Sequence, residues 1–318
     1  MRAVWLREFG GPEVLIPGEA PDPVAGPGRV VVDVEFANIT FVETQFRATG
    51  NGPFAATLPM VPGNGVGGVV AAVGPGVPAD LLGARVVTST GGSGGYAERV
   101  AVDATAPFRV PAEVSLDVAV ALLADGRTAT MMTRAADVRA GDRVLVEAAA
   151  GGVGSLIVQL AKAAGARVVA AAGGARKVTV ATDLGADVAV DYTDDGWPKR
   201  VRDEVGAVDV VFDGVGGDIG RTSFDLLDRG GRMVSFGLAS GTWTPANADE
   251  AAARGVTLVR PSATPTELRA HTESALEEAA AGRLRPVIGQ RFPLARAADA
   301  HAAIQSRATI GKTLLETG

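Results

Sequence analysis

The chain contains no cysteine, and only two histidines and two tyrosines among its 318 residues. Disulfides and thiolate metal sites are therefore impossible, and cysteine usage says nothing about the redox compartment. A catalytic zinc needs several Cys, His or carboxylate ligands in one cluster. The two histidines, His271 and His301, fall on separate helical stretches near the C-terminus and read as surface or helix-packing residues. This argues against zinc-dependent alcohol chemistry. No run approaches the roughly 18 consecutive apolar residues of a membrane span. The opening MRAVWLREFG carries Arg2, Arg7 and Glu8 and lacks the apolar core of a signal peptide. A basic excess is missing too: the net charge is −6, whereas a nucleic-acid surface needs cations to neutralise phosphates. The expectation is a cytoplasmic protein with no nucleic-acid or membrane partner.

What is present is a globular balance, 47% hydrophobic and 21% charged, in a chain long enough for two domains. The first 110 or so residues are rich in Gly, Pro and Val. Short β-like runs at Val30–Phe36, Val69–Val73, Arg85–Ser89 and Ala97–Val102 are separated by turns such as Gly74-Pro75-Gly76. The pattern predicts an irregular β-rich domain. From about residue 115 the texture changes. A helix-like run at Ser115–Ala124 precedes apolar strands at Arg143–Ala148, Arg167–Ala172, Val188–Asp191, Val208–Asp213 and Arg232–Gly237, with helices at Gly154–Gly165 and Val178–Leu184. Non-alternating strands that alternate with helices predict a doubly wound parallel sheet, an α/β fold. Helices at Thr266–Ala281 and Ala295–Ser306 and a last strand at Lys312–Glu316 follow.

The strongest motif is Ala148-Ala149-Ala150-Gly151-Gly152-Val153-Gly154, which leaves a strand and opens a helix. Glycines there permit a tight turn and close approach of backbone N–H groups to a pyrophosphate, and the helix N-terminus adds partial positive charge. In an NAD site an Asp or Glu stands about 20 residues on, against the ribose hydroxyls. The second strand instead ends Ala172-Gly173-Gly174, with Arg176 and Lys177 close behind. Lack of a carboxylate and nearby cations favour a 2′-phosphate, hence NADPH. Without a metal or a histidine base, an electron-poor acceptor such as a quinone or an α,β-unsaturated carbonyl is the expected substrate, with water able to supply the proton.

These motifs, together with Phe9-Gly10-Gly11-Pro12-Glu13-Val14-Leu15, Val211-Phe212-Asp213-Gly214-Val215-Gly216, Met233-Val234-Ser235-Phe236-Gly237 and Ser306-Arg307-Ala308-Thr309-Ile310-Gly311-Lys312, resemble the zinc-independent quinone oxidoreductases of the medium-chain dehydrogenase/reductase superfamily, those related to zeta-crystallin. The likeness runs over nearly the whole chain. It implies a GroES-like β-rich substrate domain at residues 1–118 and 255–318 around a Rossmann domain at 119–254, and a homodimer. It also implies site residues. Gly152 and Val153 would sit at the pyrophosphate; Lys177, Tyr192 and Arg307 would hold the 2′-phosphate beside Gly173 and Gly174; Val215, Phe236, Gly237 and Thr128 would lie near the ribose and nicotinamide.

On the substrate side the family's Asn-Phe-Ile-Asp-x-Tyr-x-Arg aligns with Thr40-Phe41-Val42-Glu43-Thr44-Gln45-Phe46-Arg47. Thr40, Glu43, Gln45 and Arg47 are the candidate catalytic residues. They could polarise a carbonyl oxygen, with Glu43 a proton donor if burial raises its pKa. The alternative for Glu43 and Arg47 is a structural ion pair or a solvated position. Three functions stay open at this stage: quinone reduction, reduction of an enoyl or alkenal C=C bond, and NADPH binding by a sensor without turnover.

Overall fold

The computed structural model describes residues 1–55 and 57–318. The chain opens with an antiparallel ribbon, β1 (Arg2–Leu6) and β2 (Leu15–Glu19). The long strand β3 (Arg29–Ile39) runs into helix α1 (Phe41–Thr49). Strands β4 (Gly65–Val73), β5 (Arg85–Ser89), β6 (Arg99–Asp103) and β7 (Phe108–Arg109) follow. In β3 the buried Val30, Val32 and Val34 alternate with residues on the other face, and they join Val4, Leu6, Val66 and Phe46 in one core. Phe46 of α1 anchors that helix, with the rings of Phe9 and Phe54 edge-on at 5.8 and 5.4 Å.

Helix α2 (Leu116–Ala135) is longer than the sequence suggests. The Asp125-Gly126 step looks like a stop signal, yet one glycine inside a helix costs only about 1 kcal/mol, which packing overrides. Then the strand–helix alternation begins: β8 (Arg143–Val146), α3 (Gly152–Ala163), β9 (Arg167–Ala172), α4 (Ala175–Asp183), β10 (Val188–Asp191), α5 (Trp197–Val205), β11 (Val208–Asp213), α6 (Gly217–Leu226), β12 (Leu227–Ser235), α7 (Ala248–Arg254) and β13 (Thr257–Val259). All six strands are parallel, in the order β10-β9-β8-β11-β12-β13. Numbered within this sheet the order is 3-2-1-4-5-6, the doubly wound arrangement with its reversal between β8 and β11. Leu145, Val169, Val190, Phe224 and Met233 form its core with Trp197.

After α8 (Pro265–Ala280) come β14 (Ile288–Pro293), α9 (Ala297–Gln305) and β15 (Lys312–Glu316). β15 pairs antiparallel with β3, extending the first sheet to β14-β15-β3-β4-β5-β7, with β6 also on β3. The chain thus forms two compact units: Met1–Ala124 with Leu276–Gly282 and Pro286–Gly318, and Asp125–Ala275 with Arg283–Arg285. These limits differ from the expected splits at 118 and 254. Past the later of these the parallel sheet takes a sixth strand, Thr257, Leu258 and Val259 of β13 pairing with Arg232, Met233 and Val234, and most of α8 belongs to the same unit. No helix among the described residues is long and apolar enough to cross a membrane.

Candidate functional site

The second unit gathers glycine turns at the C-terminal ends of its strands. The turn from β8 to α3 places Ala148 at φ 46°, a left-handed conformation that a non-glycine residue adopts only under constraint. The constraint is visible: the Gly151 amide donates to the Ala148 carbonyl at 2.7 Å. Gly151 then caps α3 with no side-chain hydrogen bond, so the first-turn amides of Gly152, Val153 and Gly154 face outward without a capping side chain. A Cβ at Gly154 would run into the Ala148 carbonyl oxygen, so only glycine lets α3 approach β8 this closely. A Cβ at Gly152 would meet the carboxylate of Asp125, a buried residue of α2. The arrangement fits a diphosphate: amides and a helix N-terminus converge where side chains are excluded.

At the ends of β9 and β10 a second cluster forms. The Tyr192 ring lies over Gly173, where a Cβ would come within 3.0 Å of it. Gly174 adopts φ 88° and its amide donates to Asp191 Oδ1 at 2.9 Å. Asp191 also accepts from the Thr193 amide and hydroxyl at 2.9 and 2.7 Å, and these bonds hold its pKa below the usual value. Sequence reading missed Asp191, because it ends the third strand and not the second. Its oxygen is engaged in bracing the turn. Arg176 is exposed and Lys177 half-buried on the first turn of α4.

The third group lies beyond β11 and β12. The Phe236 ring lies against Gly214, and Gly237 packs on the Gly214 carbonyl. The Ser240 amide donates to the Val215 carbonyl at 2.8 Å. Val215, Phe236 and Gly237 are thereby gathered, as are Gly151–Gly154 and, separately, Gly173, Gly174 and Tyr192. Thr128 lies half-buried on α2. Arg307 belongs to the first unit, after α9, at φ 60° with its guanidinium 4.3 Å from the Phe41 ring centroid.

In the first unit three of the four candidate catalytic residues have structural partners. Thr40 and Glu43 form a capping box at the start of α1. Glu43 Oε2 accepts from the Thr40 amide and hydroxyl at 2.7 and 2.8 Å, and Oε1 from the Asn64 amide at 2.9 Å. Burial pushes the Glu43 pKa up, while those donors and the Lys312 charge draw it back in part. Arg47 is 1% exposed and donates to the Gly10 and Thr44 carbonyls. Glu43 and Arg47 are thus both buried and neither bonds to the other; Glu43 is held by Thr40 and the Asn64 amide, Arg47 by two carbonyls, and the Arg47 Nε has no hydrogen-bond partner among the described residues. Gln45 is exposed. A buried pair that the sequence did not suggest lies nearby in this unit: Tyr96 Oη and His301 Nε2 are 2.9 Å apart.

Two family models match the chain, one described as an alcohol dehydrogenase GroES-like domain over residues 26–112, the other as a zinc-binding dehydrogenase over residues 152–280. No three His, Asp or Glu side chains gather as a metal site among the described residues, and the chain has no cysteine. A probable quinone oxidoreductase of Schizosaccharomyces pombe is 38% identical over 98% of this chain and 96% of its own length. Among solved structures, a quinone oxidoreductase of Escherichia coli complexed with NADPH superposes with a TM-score of 0.90 at 31% identity, covering 99% of this chain and 100% of that one. A structure named as an NAD-dependent alcohol dehydrogenase superposes with a TM-score of 0.91 at 32% identity, covering 100% of both chains.

Proposed function

The chain belongs to the quinone oxidoreductase family of the medium-chain dehydrogenase/reductase superfamily, and from that premise we propose that it is an NADPH-dependent quinone oxidoreductase. The observation that carries the reading is the uncapped glycine turn of Gly151–Gly154, set at the reversal of a 3-2-1-4-5-6 sheet. Bound NADPH would supply the hydride. In this reading the α3 amides hold the diphosphate. Lys177, Arg176 and Tyr192 take the 2′-phosphate beside Gly173 and Gly174, a role the resemblance extends to Arg307. Val215, Phe236, Gly237 and Thr128 border the ribose and nicotinamide.

A quinone becomes a hydroquinone by gaining one hydride and one proton, and its electron deficiency lowers the demand for a protein acid. Thr40, Glu43 and Arg47 act by holding α1 and the segment before β4, and Gln45 is the member open to solvent. The same proposal covers a homodimer working in the cytoplasm. Light scattering after size-exclusion chromatography checks the first point, with a monomer as the outcome against it.

The test follows reduced-nicotinamide absorbance with 9,10-phenanthrenequinone, 1,4-benzoquinone and a 2-enone as acceptors, and NADH as the parallel donor. Rapid NADPH loss with quinones is expected. Loss with the enone alone would replace quinone reduction by C=C reduction, and no loss with any acceptor would refute turnover. Lys177→Ala should weaken NADPH by about 1.5–3 kcal/mol, the worth of a charge-assisted contact, and leave NADH nearly unchanged. Equal losses would refute the 2′-phosphate assignment.

A further inference from the structure

The sheet order brings together two acids that stand 66 positions apart (213 minus 147). Glu147 continues β8 and Asp213 ends β11; the Glu147 amide donates to the Phe212 carbonyl at 3.0 Å, so the two side chains leave neighbouring strands at the sheet's reversal. Both residues have 0% exposure. The Val215 amide is divided between them, 3.1 Å from Glu147 Oε2 and 3.2 Å from Asp213 Oδ1. Two carboxyl oxygens therefore converge on one hydrogen.

Asp213 is otherwise surrounded by donors. Its Oδ1 accepts from the Gly216 amide at 2.7 Å, and its Oδ2 from the Ser235 and Thr244 hydroxyls at 2.8 and 2.7 Å. Those contacts suit an anion. They also tie three segments together: the loop 213–217, the end of β12 and the segment 240–244. Glu147 has the opposite surroundings. The groups acting on it are Asp213 from β11, Ser223 from α6 and the Val215 amide, and none is basic. Its Oε1 has no hydrogen-bond partner among the described residues. Burial first, and then the charge of Asp213, push its pKa well above the usual range. Two ionised carboxylates that converge on one amide inside a protein repel strongly, whereas one proton between them turns the contact into a hydrogen bond.

We propose that Glu147 and Asp213 share one proton, and that the pair acts as a positioning device fixing the loop 213–217, with Val215, against the nicotinamide end of the cofactor. The inference rests on the cofactor reading given above and deepens it. Neither acid touches the reacting atoms; each acts through the loop. Gly216 and Gly217 sit at φ 72° and 55°, and the Gly217 amide donates to the Thr242 carbonyl at 3.1 Å, so the loop has one tightly braced path. Loss of the shared proton sets two anions on one amide and releases that brace.

The experiment compares wild type, Glu147→Ala and Glu147→Gln. NADPH affinity is read from nicotinamide fluorescence, and affinity for adenosine 2′,5′-bisphosphate, which probes only the far end of the cofactor site, from thermal shift. Glu147→Ala should weaken NADPH by roughly 10- to 100-fold, the scale of removing one buried hydrogen-bond partner, and leave the bisphosphate unchanged. Glu147→Gln, which can still donate to Asp213 and accept from Val215, should restore most of that loss. Between pH 7 and 10 wild type should lose NADPH affinity more steeply than Glu147→Gln. Equal values for the two variants, parallel losses of both ligands, or coincident pH profiles would overturn the pair while leaving the cofactor reading intact. Should Glu147→Ala not fold, the pH comparison with Glu147→Gln decides alone. Failure of wild type to bind NADPH would overturn the cofactor reading, and this inference with it.

Discussion

Each unit buries a glutamate, and the two are held in opposite ways. Glu43, in the first unit, faces three donors and the Lys312 charge, so what burial takes from its ionised form is partly returned. Glu147, in the second, faces another acid with only the Ser223 hydroxyl and one amide to offset it, so burial and its acidic neighbour act in the same direction and prevail. Burial alone therefore does not decide whether a carboxyl stays charged; the sign and number of its partners do. The contrast extends to the surroundings. The second unit builds its candidate site from backbone, through glycine turns at strand ends, whereas the first packs polar side chains (Thr40, Glu43, Arg47, Tyr96, His301) into hydrogen bonds.

The contrast can be broken first at the backbone site, where the largest effect is expected. Gly154→Val drives a side chain into the Ala148 carbonyl oxygen. It should abolish measurable NADPH binding in a fluorescence titration and lower stability by about 1–3 kcal/mol. Unchanged binding would show that α3 need not approach β8 this closely.

A smaller effect is expected at the Tyr96–His301 pair. Burial first, and then the Arg47 charge, lower the His301 pKa from 6.5 to about 3. Below about pH 6.5 the unfolded chain takes up a proton that the folded ring refuses, so more protons are bound in the unfolded state and stability falls as pH falls. The contribution is intact above 6.5 and is lost progressively toward 3. Urea unfolding between pH 7 and 5 should show up to about 1.4 kcal/mol per pH unit from this one group. His301→Gln should remove that share of the slope, and an identical slope would show that the ring titrates normally.

The smallest effect sharpens the comparison at Glu43. Glutamine also serves at the third position of a capping box. Glu43→Gln keeps one acceptor for Thr40 but turns an amide N–H toward the Asn64 amide, so it should cost about 1 kcal/mol in the same unfolding experiment, the low end for one unsatisfied buried donor. Quinone turnover should survive it. A collapse of turnover with stability intact would move Glu43 from the fold to the chemistry and erase the difference between the two units.

Local pattern made much of the second unit legible. β9, β10 and β11 match the expected strands residue for residue, because apolar runs bounded by turns report local backbone preference. Helix α1 was less legible: its short stretch mixes Glu, Thr, Gln and Arg with two Phe, and its capping box is visible only once the helix is granted. β13, just past the expected limit at 254, is three residues long and joins the parallel sheet by pairing with β12, a fact of the sheet and not of its own sequence.

The sequence by itself determined the glycine turn after β8, the small-residue end of β9 with Lys177 beyond it, and the absence of cysteine ligands, since all of these are properties of residues close in the chain. Tertiary structure alone decided which side chains meet. Glu147 and Asp213 are separated by two complete strand–helix units, and only the reversal of strand order seats β8 beside β11. Glu43 and Arg47, one helical turn apart, could have paired, but nearby backbone donors and acceptors claimed each of them instead. Hydrogen-bond satisfaction in a buried setting depends on what the rest of the chain brings, and that is set by long-range packing.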